Sequence, residues 1–377
     1  MHKSRRRCVI DPQTTFCPNM DCPARGQLGQ GNIGIHSQKS ARYRCTLCGK
    51  TFSARAGTVF FRRRTDEQTI TQVVTLVSHG CPVAAVEAAY GFQAQTVREW
   101  IEASGLHCEA LHQAEVVQPR DLHQVQADEI HVKTQAGVVW MAMAMMVSTR
   151  LWLGGAVSGC RDRDLIGRLV ALVAACATLA PLLFVTDGLK TYIAAVRKAF
   201  RTRQNGTGGR PRLVEWPDLA IAQVVKQYAG RAVTGTIHRL VKGSQRLFLT
   251  LLWSTPGCKV LNTAYIERLN GTFRSRLAVL GRRTRSSARR SATVEQGMYL
   301  VGTVYNFCCE HASLSKENGC AQTPAMAAGI SDHVWSVSEL LHYRVPPPQW
   351  QPPRRRGRRS RALQALIDRW CPHHRLA

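Results

Sequence analysis

Three carboxylates sit where local patterning could deliver them to one metal-binding position: Asp128, Asp187 and Glu267. Two divalent cations about 3.5–4 Å apart can activate a nucleophile and stabilise the leaving oxygen of a phosphodiester. Mg²⁺ takes oxygen ligands, few of them from protein, so three acids suffice. Asp128 lies in Gln124-Val-Gln-Ala-Asp-Glu-Ile-His-Val. Strand alternation puts it on one face with Gln126 and Ile130, and puts Glu129 on the other with Ala127 and His131. Glu129 is its rival as ligand, and an edge-strand acid paired with an Arg is the bland alternative. Asp187 ends the apolar run Leu182-Leu-Phe-Val-Thr-Asp before Gly188, a position where acids also serve as helix caps. Glu267 opens a helical pattern after Thr263. Ile266, Leu269, Phe273, Leu277 and Leu280 fall on one face, and Glu267, Asn270 and Arg274 on the other. Taken alone, Glu267 reads equally well as surface polar patterning.

A second cluster is thiolate. Cys17 and Cys22 (CxxxxC) and Cys45 and Cys48 (CxxC followed by Gly49) flank a Gly-rich stretch. Two knuckles joined by a turn-rich hairpin would offer four sulfurs tetrahedrally, as a structural Zn²⁺ requires. The other cysteines, among them Cys81, Cys160, Cys176, Cys258 and Cys308, read as buried thiols.

These groups need elements to hold them. A zinc ribbon is expected over 8–62. Residues 63–105 read as three short helices, with Ile70, Val73, Val74, Val77, Val83, Val86, Ala89, Val97, Trp100 and Ile101 turned inward. The third, 93–103, leaves Gln95, Thr96 and Arg98 outward, the pattern of a helix-turn-helix whose last helix reads DNA. From 124 the order is strand, strand, strand, helix, strand, helix. That order gives the fold class as α/β, an RNase H-like core of mixed sheet with flanking helices, over 120–345. The interval 201–258 gives no clear pattern. A Pro/Arg-rich tail, 346–377, reads as extended. The apolar run 169–185 is too short for a membrane span and is split by Pro181, so it reads as a buried helix followed by a buried strand. The N-terminal Lys-Ser-Arg-Arg-Arg has no apolar run behind it, so no export signal and no membrane partner are expected. The cytoplasm of a bacterium or archaeon, at the nucleoid, is the expected location.

With 51 Lys and Arg against 24 Asp and Glu, the 377-residue chain carries a formal charge of +27. Such an imbalance points to a polyanionic partner, and clustered Arg suits phosphate. Eight Arg and no acid lie between Arg268 and Arg290. Arg268, Arg274, Arg276, Arg282 and Arg283 are therefore candidate phosphate contacts, with Arg274 placed to orient a scissile phosphate. Arg354, Arg355 and Arg356 extend the basic set in the tail. No GxxxxGK loop and no GxGxxG following a strand is found, which disfavours nucleotide-dependent small-molecule enzymes.

The phrase Asn262-Thr-Ala-Tyr-Ile-Glu-Arg-Leu-Asn-Gly-Thr-Phe-Arg, with Gln-Ala-Asp-Glu and Val-Thr-Asp-Gly before it, resembles the DDE transposases of the first-described insertion-sequence family. Leu-Gly-Arg-Arg-Thr (280–284) and Thr-Pro-Ala-Met-Ala-Ala-Gly (323–329) add to the likeness, which spans roughly 15–345. The resemblance implies an RNase H-like core whose Asp128, Asp187 and Glu267 bind Mg²⁺ or Mn²⁺ and cut DNA. It also implies a Zn²⁺ ribbon and helix-turn-helix that recognise terminal inverted repeats, strand transfer to target DNA, and a homo-oligomer, a dimer or higher, on double-stranded DNA. The first knuckle is wider than the family pattern, and the Gly- and Arg-rich loop 201–212 and the Arg tail depart from it. A transposase-derived, non-catalytic DNA-binding regulator is the alternative, and an RNase H-fold nuclease with no joining step is a third reading.

Overall fold

The computed structural model describes residues 11–204, 211–230, 232–256, 259–281, 288–352 and 359–371. They form two compact units, one of residues 1–66 with 341–377 and one of residues 67–340.

The first unit carries a three-stranded antiparallel sheet in the order β1 (Ile33–Ser37), β2 (Arg42–Cys45), β3 (Thr51–Ser53). Its core is small and built around sulfur: Cys17, Cys22, Ala24 and Cys45 pack with Trp370. Trp370 belongs to a helix, Arg361–Trp370, introduced below as α12. The chain after 346 is therefore not a uniformly extended tail. Ser360 caps that helix by accepting from Leu363 N at 3.2 Å, and burial of Ile367 and Trp370, the latter against the cysteine cluster, stabilises it. The sequence pattern showed no such helix because six Arg precede or start it and only its inner face is apolar. The knuckle at Cys22 demands a tight approach: Gly26 lies at φ 71°, and a Cβ there would stand 2.7 Å from Pro347 O.

The second unit opens with α1 (Glu67–Ser78), α2 (Val83–Tyr90) and α3 (Ala94–Leu111). Ile70, Val73, Val74, Val86, Val97 and Trp100 are buried, as their 3.6-residue spacing requires. The third helix continues well past 103, because Ser104, Cys108 and Leu111 are buried too. Gly105 permits that packing, since a Cβ would meet Gln296 O at 2.6 Å.

A six-stranded mixed sheet follows, in the order β11-β10-β7-β4-β5-β6. β4 (Gln124–Thr134), β5 (Gly137–Met146) and β6 (Trp152–Ser158) form an antiparallel meander. After α4 (Arg163–Ala175), β7 (Leu182–Asp187) returns parallel to β4. The chain then runs through α5 (Lys190–Ala199) and a small hairpin, β8 (Arg201–Gln204) and β9 (Arg212–Glu215). β10 (Leu219–Ala229) pairs parallel with β7, and β11 (Ala232–Lys242) turns back antiparallel to it. The segment that gave no sequence pattern thus supplies two strands of the main sheet. Its strands read poorly because β10 is apolar only in its first half and β11 is largely exposed.

The remaining helices are α6 (Gln245–Ser254), α7 (Ala264–Arg276), α8 (Ser291–Cys308), α9 (Ala312–Asn318), α10 (Pro324–Ala327), α11 (Val337–His342, which crosses the boundary between units) and α12 (Arg361–Trp370). Helices cover both faces of the sheet. Phe184 meets Tyr192 of α5 on one face, while Leu183 and Val185 pack with Phe248 and Leu251 of α6 on the other. The apolar α8 crosses β6, where Asn306 satisfies both backbone groups of Trp152 at 2.9 Å. This mixed α/β arrangement is compatible with an RNase H-like core. Cys160 is exposed and Cys81 and Cys308 are half-buried, so these three are not the fully buried thiols expected; Cys176 is. Cys258 lies outside the described residues.

Candidate functional site

β4 and β7 are adjacent and parallel, with Ala127 opposite Thr186, so Asp128 and Asp187 leave the sheet side by side. They do so where the strand order reverses direction from β4, the place at which open α/β sheets receive ligands. β4 is interior, so Asp128 is no edge-strand acid. Its partner is Asn270 Nδ2, which donates to Oδ2 at 2.8 Å. Ligand oxygens of Asp128, Glu129 and Asp187 lie within 4.8 Å of one another.

Alternation holds along β4. Gln126 faces α7, donating to Asn262 O at 2.8 Å and accepting from Ile266 N at 3.1 Å. Asp128 faces the same helix through Asn270. Glu129 points to the opposite face, beside Tyr192, where its side chain is fully buried. Arg161 binds it through Nη2 at 2.6 Å and Nε at 3.0 Å, and reaches Asp187 Oδ2 at 3.1 Å. Arg161 thus ties the two acids together, and the pair raises its own pKa. The other Asp187 oxygen accepts from Leu189 N at 3.0 Å, so the capping role open to this acid is also fulfilled.

Electrostatically the pocket of acids favours a cation. Burial, then the charges of Glu129, Asp187 and Glu267, push Asp128 up to about 7 against the backbone hydrogen bond that lowers it. Burial likewise raises Glu129 despite Tyr192 and Arg161. Glu267, in the first turn of α7, accepts from Lys226 Nζ and from Thr263 Oγ1, each at 2.7 Å. Burial would lift its carboxyl, but those two bonds and the Lys226 charge hold it below the usual range. Glu267 adds its charge to those acting on Asp128 while Lys226 of β10 engages it, but the oxygens gathered within 4.8 Å of one another are those of Asp128, Glu129 and Asp187. A mutually repelling set of oxygen ligands, one of them proton-binding near neutrality, fits a hard divalent cation.

Neither Arg161 nor Lys226 carried a sequence signal. Arg161 sits in Cys-Arg-Asp-Arg-Asp before α4, where basic and acidic residues alternate without pattern, and Lys226 sits in the unread interval. Asn270 did carry one, through its helical spacing from Glu267.

The thiolates come together as well. Cys17 Sγ lies 3.6 Å from Cys48 Sγ, and Cys22 Sγ 3.8 Å from Cys45 Sγ. A tetrahedron of sulfurs about 2.3 Å from Zn²⁺ has edges of about 3.8 Å, so the four fit that ion closely. Asn32 Nδ2 donates to Cys45 Sγ at 3.4 Å. Burial pushes Cys22 up to about 12 and Cys17 higher still, while Cys48, less buried and hydrogen-bonded from Lys50 N and Asn19, falls to about 7. Burying four such sulfurs together is favourable once a cation offsets their charge.

The basic residues distribute less evenly. Gln95 and Arg98 are exposed on α3 and Thr96 is half-buried; Gln95 Nε2 donates to Glu99 Oε1 at 3.3 Å. Arg268 is exposed on α7 and Arg274 continues the Glu267 face. Arg276 turns the other way and donates from Nη1 to Cys309 Sγ at 2.9 Å. It therefore does not share the Glu267 face. Arg282, Arg283, Arg354, Arg355 and Arg356 lie outside the described residues. Among the described residues, no helix is long and apolar enough to cross a membrane.

No protein-family model matches the chain, and no curated protein matches its sequence. Among solved structures it is similar to piggyBac transposase, in a cryo-EM synaptic complex with hairpin DNA. That match has 10% identity and a TM-score of 0.33, and covers 84% of this chain and 78% of that one. Nothing about this chain's chemistry follows from a likeness at that score.

Proposed function

We propose that this chain is a DDE-type DNA transposase of the insertion-sequence kind, which binds its element's ends and directs metal-dependent strand cleavage and transfer. The observation that supports the reading is the gathering of Asp128, Glu129 and Asp187 oxygens within 4.8 Å of one another on adjacent strands, with Glu267 of α7 adding its charge to Asp128, in a chain of charge +27. Asp128, Asp187 and Glu267 would hold Mg²⁺ or Mn²⁺, which when bound polarises the phosphodiester and activates the attacking hydroxyl. Asn270 fixes the Asp128 carboxylate, and Arg161 fixes Asp187 while neutralising Glu129. Glu129 is read as a positioning residue because both Arg161 donors converge on its Oε2 and its side chain is fully buried, and its place within 4.8 Å of the Asp128 and Asp187 oxygens makes it the rival ligand to Glu267. Arg274, on the Glu267 face, orients a phosphate.

The Cys17, Cys22, Cys45 and Cys48 set would hold a structural Zn²⁺, and α1–α3, through Gln95, Thr96 and Arg98, would read the terminal repeats. The domain boundaries proposed from sequence, with the ribbon over 8–62, the helical reader over 63–105 and the catalytic core over 120–345, stand on the same reading. Bringing two ends together calls for at least two copies.

The test is nicking and joining of double-stranded DNA carrying the sequences that flank this reading frame, with Mg²⁺. Asp128→Asn and Asp187→Asn are expected to lose both steps while binding the same DNA with affinity within about twofold of wild type. Wild-type protein that binds those ends but leaves them intact would leave the non-catalytic regulator in its place.

A further inference from the structure

Behind α7, on the side away from Glu267, lies a cavity of about 250 Å³ whose lining includes Arg150, Arg268, Arg276 and His311 with Tyr265 and Tyr305. Met145 and Leu269 give it apolar wall. Three guanidinium groups at one cavity are costly neighbours, and none of them is ion-paired among the described residues. Arg150 is the most demanding. It is 3% exposed, so its charge has been taken out of water. Its Nε has no hydrogen-bond partner among the described residues. Its backbone sits at φ 60°, the left-handed region that a branched or long side chain seldom takes.

That strained turn is held in place by what surrounds it. Tyr305 Oη donates to Arg150 O at 3.1 Å, Nη1 of Arg150 donates to Val147 O, and the guanidinium stacks 4.1 Å from the Tyr265 ring centre. A non-glycine residue in the left-handed region with a buried, unpaired charge belongs to sites that use it. Arg276, which donates to the Cys309 thiol, and exposed Arg268 add cationic donors at the same cavity. The one carboxylate in the lining, Glu310, is exposed.

We infer that this cavity binds a single nucleotide, its phosphate held by Arg150, Arg268 and Arg276 and its base lodged against the tyrosine and apolar walls. At about 250 Å³ the cavity lies just below the range of about 300 Å³ and up in which small-molecule sites fall, so a duplex cannot enter and a single nucleotide fills it with part of its sugar outside. Guanidinium pairs phosphate through parallel donors, and flat rings accept bases of any identity. The same chemistry could come from a residue of a DNA strand laid along α7 or from a free mononucleotide. The choice of a strand rests on the proposed function, in which Arg274 of α7 orients a phosphate of the DNA.

The full-length protein, with no divalent cation added, is titrated with a short fluorescein-labelled single-stranded oligonucleotide and read by anisotropy. AMP and inorganic phosphate serve as competitors. Arg268→Ala and Arg276→Ala are each expected to weaken oligonucleotide binding about tenfold, while Arg246→Ala, which removes an exposed charge from α6, changes it by less than about twofold. AMP is expected to displace the oligonucleotide from wild type at concentrations where phosphate does not. A melting temperature for each variant separates lost binding from lost folding. Binding of both the oligonucleotide and AMP by Arg268→Ala and Arg276→Ala equal to that of Arg246→Ala overturns the site, and phosphate competing as well as AMP overturns its assignment to a nucleotide. Tight AMP binding with no effect of either variant on the oligonucleotide overturns the strand as its source. Asp128→Asn, which tests cleavage, is expected to bind the oligonucleotide as wild type does, so failure of the nuclease reading and failure of this site give different results.

Discussion

With its carboxyl raised to about 7 by burial and by the charges of Glu129, Asp187 and Glu267, Asp128 makes the fold pH-sensitive when no cation is added. An acid raised in the folded state contributes stability that is complete below its unfolded value near 3.8 and is lost as pH climbs through about 7. Protein without added Mg²⁺ should therefore lose on the order of a few kcal/mol between pH 4 and pH 8 from this group. Asp128→Asn should remove that loss, melting several degrees above wild type at pH 8 and no higher at pH 4; equal melting curves at pH 8 would contradict the electrostatics. Lys226 poses a second test, since its bond to Glu267 opposes a cation at the same carboxylate. Lys226→Met should lower the Mn²⁺ concentration for half-maximal cleavage on the order of threefold, and a higher requirement would show that Lys226 helps rather than competes. At this scale much was legible: a mid-strand Asp and a strand-end Asp on neighbouring strands must meet. What was not legible is who neutralises whom. Glu129 and Asp128 are adjacent in sequence and only the buried contact with Arg161, contributed from beyond β6, separates a positioning acid from a candidate ligand.

The elements were readable where one period dominated. β4, β5, β6 and β7 alternate or run apolar and appear in the expected order, and α1 shows its buried stripe, whereas α2 buries only Val86 and leaves Ala89, expected to face inward, exposed. α3 outran its expected end because its second half buries small residues, Ser104 and Gly105, that carry no hydrophobic signal. The C-terminal helix was missed for a related reason: its worth lies in a tertiary contact. Trp370 is 3% exposed and packs on the cysteine cluster, and Gln27 Nε2 donates to its carbonyl at 3.0 Å. Trp370→Ala should cost the first unit about 3–5 kcal/mol, and a colorimetric chelator should then extract the Zn²⁺ proposed for the cysteine cluster severalfold faster than from wild type. Unchanged extraction would mean that α12 contributes nothing to the cluster. Removing the proposed metal should expose the same segment to protease, because the four sulfurs then lose the bonds to a common ion that would tie the two knuckles together.

At the scale of the whole molecule, charge sets the behaviour. A chain of +27 with exposed Arg98 and Arg268 on separate helices should bind duplex by phosphate contact, and the logarithm of its affinity should fall linearly with the logarithm of salt. A flat dependence between about 50 and 200 mM salt would contradict nucleic acid as the partner. The central claim concerns Glu267, whose role the sequence left evenly balanced and which α7 sets near Asp128 under the hold of Lys226. The most direct measurement compares Glu267→Gln with Glu129→Gln in Mg²⁺-dependent nicking of flanking-end DNA, with DNA affinity measured alongside. Glu267→Gln should slow nicking at least about a hundredfold at unchanged affinity, and Glu129→Gln should slow it less. Glu267→Gln nicking at the wild-type rate would contradict the account.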